Sequence, residues 1–386
     1  MKIKREISSE LKNLVATYPV VTITGPRQAG KTTLTRMEFP DYKYCNLENP
    51  EIRQFAMDDP NAFFDSFGYP LIIDEVQRVP QLLSYIQTIV DEKQQKGMYI
   101  LTGSHQFDLN NAITQSLAGR TALLHLLPLS IVELNKADIF QKRDEYIYKG
   151  FLPRIYKDGL EPTRAYRNYF QTYVERDMRQ MINLKNIAQF EIFLKLLAGR
   201  SGQVVNLSSL SNDIGISVTT LQGWLSILEA SFIVFKLYPY YENFGKRIIK
   251  SPKIYFTEIG LATYLLGIEN ITQVPRDPLI GNLFENLVVI EAVKARLNKG
   301  LDPNLFFYRD NNKNEVDLIY KRSNTLIPVE IKSAKTFSKK FFKGVNFLKK
   351  ITSQTSGGYL IYAGKFTPDI GSDKVMHFTD TYKIFE

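Results

Sequence analysis

Gly25-Pro26-Arg27-Gln28-Ala29-Gly30-Lys31-Thr32 follows directly on the apolar run Pro19-Val20-Val21-Thr22-Ile23-Thr24, and this junction decides the fold of the first third of the chain. A buried strand runs into a Gly-x4-Gly-Lys-Thr loop. The glycines let backbone N–H groups curl round a phosphate without interference from a Cβ. Lys31 can reach the β- and γ-phosphates, and the Thr32 hydroxyl can ligate Mg²⁺. A helix expected over Thr32 to Met37 turns its positive end toward the same anion. Strand, loop and helix in that order imply a nucleoside triphosphate site made of Gly25, Pro26, Arg27, Gln28, Ala29, Gly30, Lys31 and Thr32, with Thr33 next in line.

The remaining composition sets broad bounds. At 386 residues the chain exceeds one ordinary domain. Hydrophobic residues at 44% and charged residues at 23% are those of a globular protein with a sizeable core. A formal charge of +9 favours polyanionic partners. The single cysteine, Cys45, leaves no internal disulfide and fits a reducing compartment. Met1-Lys2-Ile3-Lys4-Arg5-Glu6 leads into no apolar leader segment, and no run approaches a membrane span. A cytoplasmic protein with no membrane partner is therefore expected.

Downstream of the loop, apolar runs alternate with helical patterns, as a parallel α/β sheet between helices requires. Lys43 to Glu48 reads as a second strand. Pro70-Leu71-Ile72-Ile73-Asp74-Glu75 reads as a third, delivering two acids at its C-terminal edge, where ligands of open α/β sheets bind. Asp74 then holds Mg²⁺ through water and Glu75 polarises the water that attacks the γ-phosphate. A small-molecule kinase would share the loop but has less need of the Asp-Glu pair. Met98 to Ser104 is a further strand, whose Thr102 or Ser104 either senses the γ-phosphate or forms a hydroxyl-rich turn. Arg120, at the end of Ser116-Leu117-Ala118-Gly119-Arg120 and before a strand over Thr121 to Leu129, either stabilises phosphoryl charge in a neighbouring subunit or caps its own helix. Its position favours the former, and with it a homo-oligomer. Arg27 reads as a local anchor.

Together the loop 25–32, Ile73-Asp74-Glu75-Val76-Gln77, Leu101-Thr102-Gly103-Ser104 and Ser116–Arg120 resemble a bacterial and archaeal family of AAA-type P-loop ATPases with a C-terminal domain of unknown function. The resemblance covers nearly the whole chain. It implies ATP as ligand, Mg²⁺ as cofactor, and Lys31, Glu75 and Arg120 as catalytic residues. It also matches the triplet Glu175-Arg176-Asp177, which reads as ion pairs on a helix. His105 stands where such proteins often carry another small polar residue.

Four segments are expected: an ATPase domain over 1–135, a helical linker over 136–189, a winged-helix-like domain over 190–250 and an α/β domain over 251–386. The third rests on a helix through Leu207 and Leu210, a turn at Gly215, and a second helix capped by Ser217. That second helix carries Val218, Leu221, Trp224, Leu225 and Leu228 on one face, and Phe232–Phe235 follows it as a strand. The opposite face of the second helix offers Thr219, Thr220, Gln222 and Ser226 without Lys or Arg, a poor footprint for DNA. Packing is therefore favoured over DNA contact here.

In the last segment a helix over Gly281 to Leu297 embeds Glu285 among apolar residues, where a bare carboxylate is costly. The strands Glu315–Tyr320 and Ile327–Lys332 follow, with Glu330 and Lys332 on one face and Asp317 within reach across the ladder. Asp followed by Glu-x-Lys resembles the PD-(D/E)xK nucleases and implies a restriction-endonuclease-like fold. Carried over, that family's site is Glu285, Asp317 and Glu330 for Mg²⁺ or Mn²⁺, and Lys332 for water activation. The family's proline is absent, since Val316 precedes Asp317. Nine Lys or Arg against one acid between Lys321 and Lys350 suit a phosphate backbone. Nucleic acid, DNA ahead of RNA, is the partner expected. Two readings stay open: an ATPase coupled to a nuclease-like domain, or an ATP-regulated binding or signalling module whose Glu-x-Lys is an ion pair in a catalytically inactive fold.

Overall fold

The computed structural model describes residues 3–104, 116–174, 187–240, 251–355 and 357–386. His105 and Glu175-Arg176-Asp177 lie outside the described residues. The chain divides into two compact units, one of Met1–Leu129 with Ala230–Phe232 and Leu297–Leu301, the other of the rest.

The first unit is built on five strands: β1 (Val20–Thr24), β2 (Lys43–Asn46), β3 (Leu71–Asp74), β4 (Tyr99–Gly103) and β5 (Thr121–His125). They are parallel, in the order β2-β3-β4-β1-β5. The period-2 alternation of each strand divides its apolar residues between two layers. Val20, Leu71, Ile73, Tyr99 and Leu101 join one buried cluster with Phe63 and Leu83. Val21, Ile23, Ile72, Ile100 and Leu124 join the other with Leu11 and Leu34. Burial on both faces explains why these strands read as continuous apolar runs. Helices start where the sequence supplies caps. Asn49 accepts from the N–H groups of Glu51 and Ile52, and Pro50 takes the first position of the helix Pro50–Asp58.

The second unit contains β6 (Val234–Pro239), β7 (Lys253–Phe256), β8 (Leu305–Arg309), β9 (Glu315–Arg322), β10 (Thr325–Lys332), β11 (Tyr359–Tyr362), β12 (Asp369–Ile370) and β13 (Asp373–His377). They form one sheet in the order β12-β13-β11-β10-β9-β8-β6-β7. β8, β9 and β10 run antiparallel as a meander, and β11 joins β10 in parallel. β6 pairs with β7 antiparallel and with β8 in parallel, so the sheet is continuous across residue 250. Ahead of it come the helices Ile187–Gly199, Leu207–Ile214 and Val218–Ala230. Gly215 ends the second of these in the left-handed conformation. Leu221, Trp224, Leu225 and Leu228 of the third are buried, with Trp224 edge-on to Phe190. The helix Ile280–Leu297 is buried through most of its length. It is pinned by Asn286, which accepts from Phe256 N and donates to Phe256 O, both at 2.8 Å.

Candidate functional sites

In the first unit β1 ends at Thr24, and the phosphate-loop sequence turns back over it. Gly25 adopts φ 151°, and a Cβ there would collide with the Leu126 carbonyl, so only glycine fits. Gly30 adopts φ 95° as it leads into the helix Lys31–Glu38. The loop is buttressed from behind by buried Arg5, which donates to the carbonyls of Ala29 (2.7 Å) and Leu127 (2.6 Å). Arg27 lies 3.6 Å from Glu48, beside the loop.

Lys31 is buried and folds its ammonium onto the Gly25 and Pro26 carbonyls at 2.8 and 3.0 Å. Burial lowers its pKa to about 8, against the opposing fields of Glu75 and Asp74. Thr32 Oγ1 donates to Asp74 Oδ2 at 2.9 Å, so the loop threonine and the acid of β3 face one point. Tyr44, from β2, donates to the same oxygen at 2.9 Å, and Thr102 donates to Oδ1. Glu75 takes the left-handed backbone conformation, φ 57° and ψ 47°, which swings it out of line with β3. Ser104 donates to its carboxylate at 2.7 Å, and Gln77 donates from the other side. Burial pushes the Glu75 pKa up, but the Lys31 charge and these donors outweigh it, and the group is held below the usual carboxylate range. Thr102 thus orients Asp74 and Ser104 orients Glu75. The paired hard oxygens of Thr32 and Asp74 fit a small divalent cation.

Arg120 stands elsewhere. Its fork grips Asp91 at 2.6 and 2.8 Å and donates to the Ala118 carbonyl at 3.1 Å. It immediately precedes Thr121, which pairs with Val20 at the start of β1, whereas the phosphate loop leaves the far end of that strand. The five residues of β1 put about 16 Å between those edges, at about 3.3 Å per residue.

The second unit gathers a second cluster. Lys332 Nζ donates to Asp317 Oδ2 at 2.7 Å and to Glu330 Oε2 at 2.6 Å. Asp317, one step beyond the paired residues Leu318 and Val329, also accepts from Ile331 N at 2.8 Å. Burial raises the Glu330 pKa to about 8, helped by the Asp317 charge and opposed by Lys332. Burial also presses on Asp317, but Lys332 and Lys253 keep its pKa below the usual range. The cluster opens into a groove of about 390 Å³, lined also by Lys313, Lys340, Phe341, Lys343 and Gly344. Gly344 lies in the first turn of the helix Lys343–Ile351, and a Cβ there would strike Glu330 Oε1.

Glu285 is drawn to a different partner. It accepts from fully buried Lys253 (2.9 Å) and from Tyr255 (2.7 Å), while Lys253 also meets Glu315 at 2.6 Å. Burial raises the Glu285 pKa, and Lys253 counters it. Among the described residues no three carboxylate, imidazole or thiol groups are placed to hold a metal ion. The expected ligand trio is therefore split between two lysines, Lys253 taking Glu285 and Lys332 taking Asp317 and Glu330. The two carboxylates that do converge offer a partial fit to a divalent cation.

Arg5, Tyr44, Lys253 and Tyr255 escape a motif-based reading, and Gln77, which lies within the motif 73–77, gains its role only from its contact with Glu75. The signal for Lys253 and Tyr255 was a Lys and a Tyr sharing one face of an otherwise apolar strand, Lys253-Ile254-Tyr255-Phe256.

Residues 17–135 match an AAA domain. Residues 140–272 and 280–381 match two domains of unknown function, DUF8612 and DUF4143, the second of which spans Glu285, Asp317, Glu330 and Lys332. An uncharacterized protein of Mycobacterium tuberculosis is 31% identical over 338 residues, covering 86% of this chain and 74% of its own length, with the same figures for one of Mycobacterium bovis. The chain belongs to this family of AAA-domain proteins. An uncharacterized protein of Methanocaldococcus jannaschii is a more distant relative of this AAA-domain protein, 23% identical over 340 residues, covering 74% of this chain and 69% of its own length. Among solved structures, a Walker-type ATPase of Pyrococcus abyssi aligns at 14% identity over 67% of this chain and 94% of that one, with a TM-score of 0.46, too loose to carry an argument. The AAA-domain match and the phosphate loop on a parallel sheet establish a P-loop ATPase domain that binds ATP. Among the described residues no helix is long and apolar enough to cross a membrane.

Proposed function

We propose that the protein hydrolyses ATP with Mg²⁺ and couples that turnover to a C-terminal, restriction-endonuclease-like domain acting on nucleic acid, DNA ahead of RNA. The observation that carries the first half is the 2.9 Å hydrogen bond from Thr32 to Asp74, beside a Glu75 carboxylate fixed by Ser104. Lys31 and the loop N–H groups bind the phosphates, and Thr32 and Asp74 would hold the metal. Glu75, kept ionised, accepts the proton of the attacking water at its carboxylate. Bound Mg²⁺ would supply charge neutralisation of the β- and γ-phosphates. Arg120, a strand's length from its own loop, serves a neighbouring subunit's nucleotide. Glu75→Gln should bind ATP and fail to release phosphate; retained turnover would remove Glu75 from this role.

For the second half, Asp317 and Glu330 would hold a divalent cation, which would acidify a bound water, while the Lys332 ammonium orients that water and stabilises the hydroxide it becomes. The helix pair Leu207–Ile214 and Val218–Ala230, followed by β6 and β7, reads as a winged-helix-like module that serves packing rather than DNA. The competing reading, a binding module without cleavage, is favoured by one observation: Lys332 is ion-paired to both carboxylates while Lys253 is ion-paired to Glu285. Incubating the protein with single- and double-stranded substrates and Mg²⁺ or Mn²⁺, with and without ATP, separates the two.

A further inference from the structure

The 390 Å³ groove is bordered by an aromatic surface that neither ATP turnover nor cleavage explains. Phe341, on the groove wall, packs with Phe337 against the cluster of Phe342, Val345, Leu360, Tyr362 and Val375. Phe337 in turn meets the ring of Phe366 edge-on, with centroids 6.0 Å apart. Phe366 is 64% exposed, a costly position for a phenylalanine. Lys335, Lys339, Lys340 and Lys343 flank Phe337 and Phe341 in the chain, Lys365 precedes Phe366, and all five are exposed. The Phe366 backbone is fixed, because its carbonyl accepts from Tyr362 Oη.

We propose that this surface binds a single strand of nucleic acid, with its phosphates along Lys340 and Lys343 and one base stacked on Phe366. The inference rests on the reading of the C-terminal domain as one that acts on nucleic acid, and it assigns the form of that substrate. An exposed aromatic ring can stack only on a base whose face is free, which a duplex withholds along its length. The groove that Phe341 lines also carries Lys340 and Lys343, so a backbone lying in it meets both charges. The lysines supply sequence-independent attraction for the backbone.

The test uses the full chain and a short fluorescein-labelled oligothymidylate in EDTA, so that nothing is cut, read by anisotropy across a salt series. The strand should bind more tightly than its duplex. Phe366→Ala should weaken strand binding roughly tenfold, while Phe366→Trp keeps it. Lys343→Ala should lower the slope of log K against log salt by about 0.7. Equal affinity for strand and duplex, indifference to Phe366→Ala, or Phe366-dependent binding to phosphatidylserine vesicles in place of the strand would overturn the proposal. Protein that binds through Phe366 yet cuts nothing with Mg²⁺ or Mn²⁺ removes cleavage and leaves the platform; protein that cuts but ignores Phe366 does the reverse.

Discussion

Thr32 and Asp74 belong to elements 42 positions apart in the chain, yet the hydroxyl of one donates to the carboxylate of the other at 2.9 Å. β1 and β3 are separated in the sheet by β4, so this contact measures how well the phosphate loop is set over the sheet edge. Tyr44 and Thr102 supply further donors to Asp74, holding it in a single orientation.

Tyr44→Phe is accordingly expected to lower ATP turnover by about tenfold, and by no more than about a hundredfold, by loosening Asp74, since one hydrogen bond to a charged group contributes about 1.5–3 kcal/mol. Steady-state phosphate release against ATP and Mg²⁺ concentration checks it. A change in the Mg²⁺ requirement with little change in ATP affinity is the expected signature.

Lys31 predicts a pH dependence. Burial brings its pKa to about 8, so its ammonium is progressively lost above that pH and ATP affinity should fall by up to about tenfold per unit. The groups that face it are Glu75 and Asp74, which raise the pKa, and Arg27, which lowers it. The stability effect has the opposite sense. The unfolded chain holds the Lys31 proton at higher pH than the folded one, so this group's contribution to stability rises with pH between about 8 and the ordinary lysine range. Titration of fluorescent ATP binding from pH 7 to 9.5 checks the first, and Lys31→Ala should flatten it.

Arg120→Ala should leave nucleotide affinity unchanged and cut turnover by about 10³-fold, in the range of a removed arginine finger. Turnover per chain should rise with protein concentration, because the fork lies on the wrong edge of its own sheet. Asp91→Ala, which frees the fork, should not reduce activity. Concentration-independent turnover would refute action in trans.

Lys253→Met should destabilise the second unit by about 3–5 kcal/mol, since it leaves Glu285 and Glu315 without their buried cation. Adding Glu285→Gln should restore part of the loss. Urea unfolding of the two variants is the measurement.

Gly344→Ala places a methyl group on Glu330 Oε1 and should cost about 1–3 kcal/mol, the range of overpacking in a filled site. Thermal unfolding reads this, and the same variant should disturb any chemistry that depends on Glu330.

What was legible in the chain follows from how local each signal is. The phosphate loop, Asp74-Glu75 and the apolar strands announce themselves within a few residues, and the parallel sheet follows from their spacing. Glu330 and Lys332 share a face because strands alternate, which sequence alone conveys. Arg5 and Tyr44 were not legible, because each acts on a loop or acid brought near only by the finished sheet. The apolar surroundings of Glu285 call for a compensating cation and the nuclease resemblance makes that cation a metal, but burial does not say which cation is present; Lys253, thirty-two positions earlier, does. The antiparallel pairing of β6 and β7 was not legible, because no two-residue turn joins them to mark a hairpin.

The ladder also joins the two lysines. β7 carries Lys253 and β10 carries Glu330 and Lys332, and between them every strand is laddered to the next. Lys253 and Lys332, each compensating buried carboxylates, therefore stand on one laddered framework rather than in two separate modules.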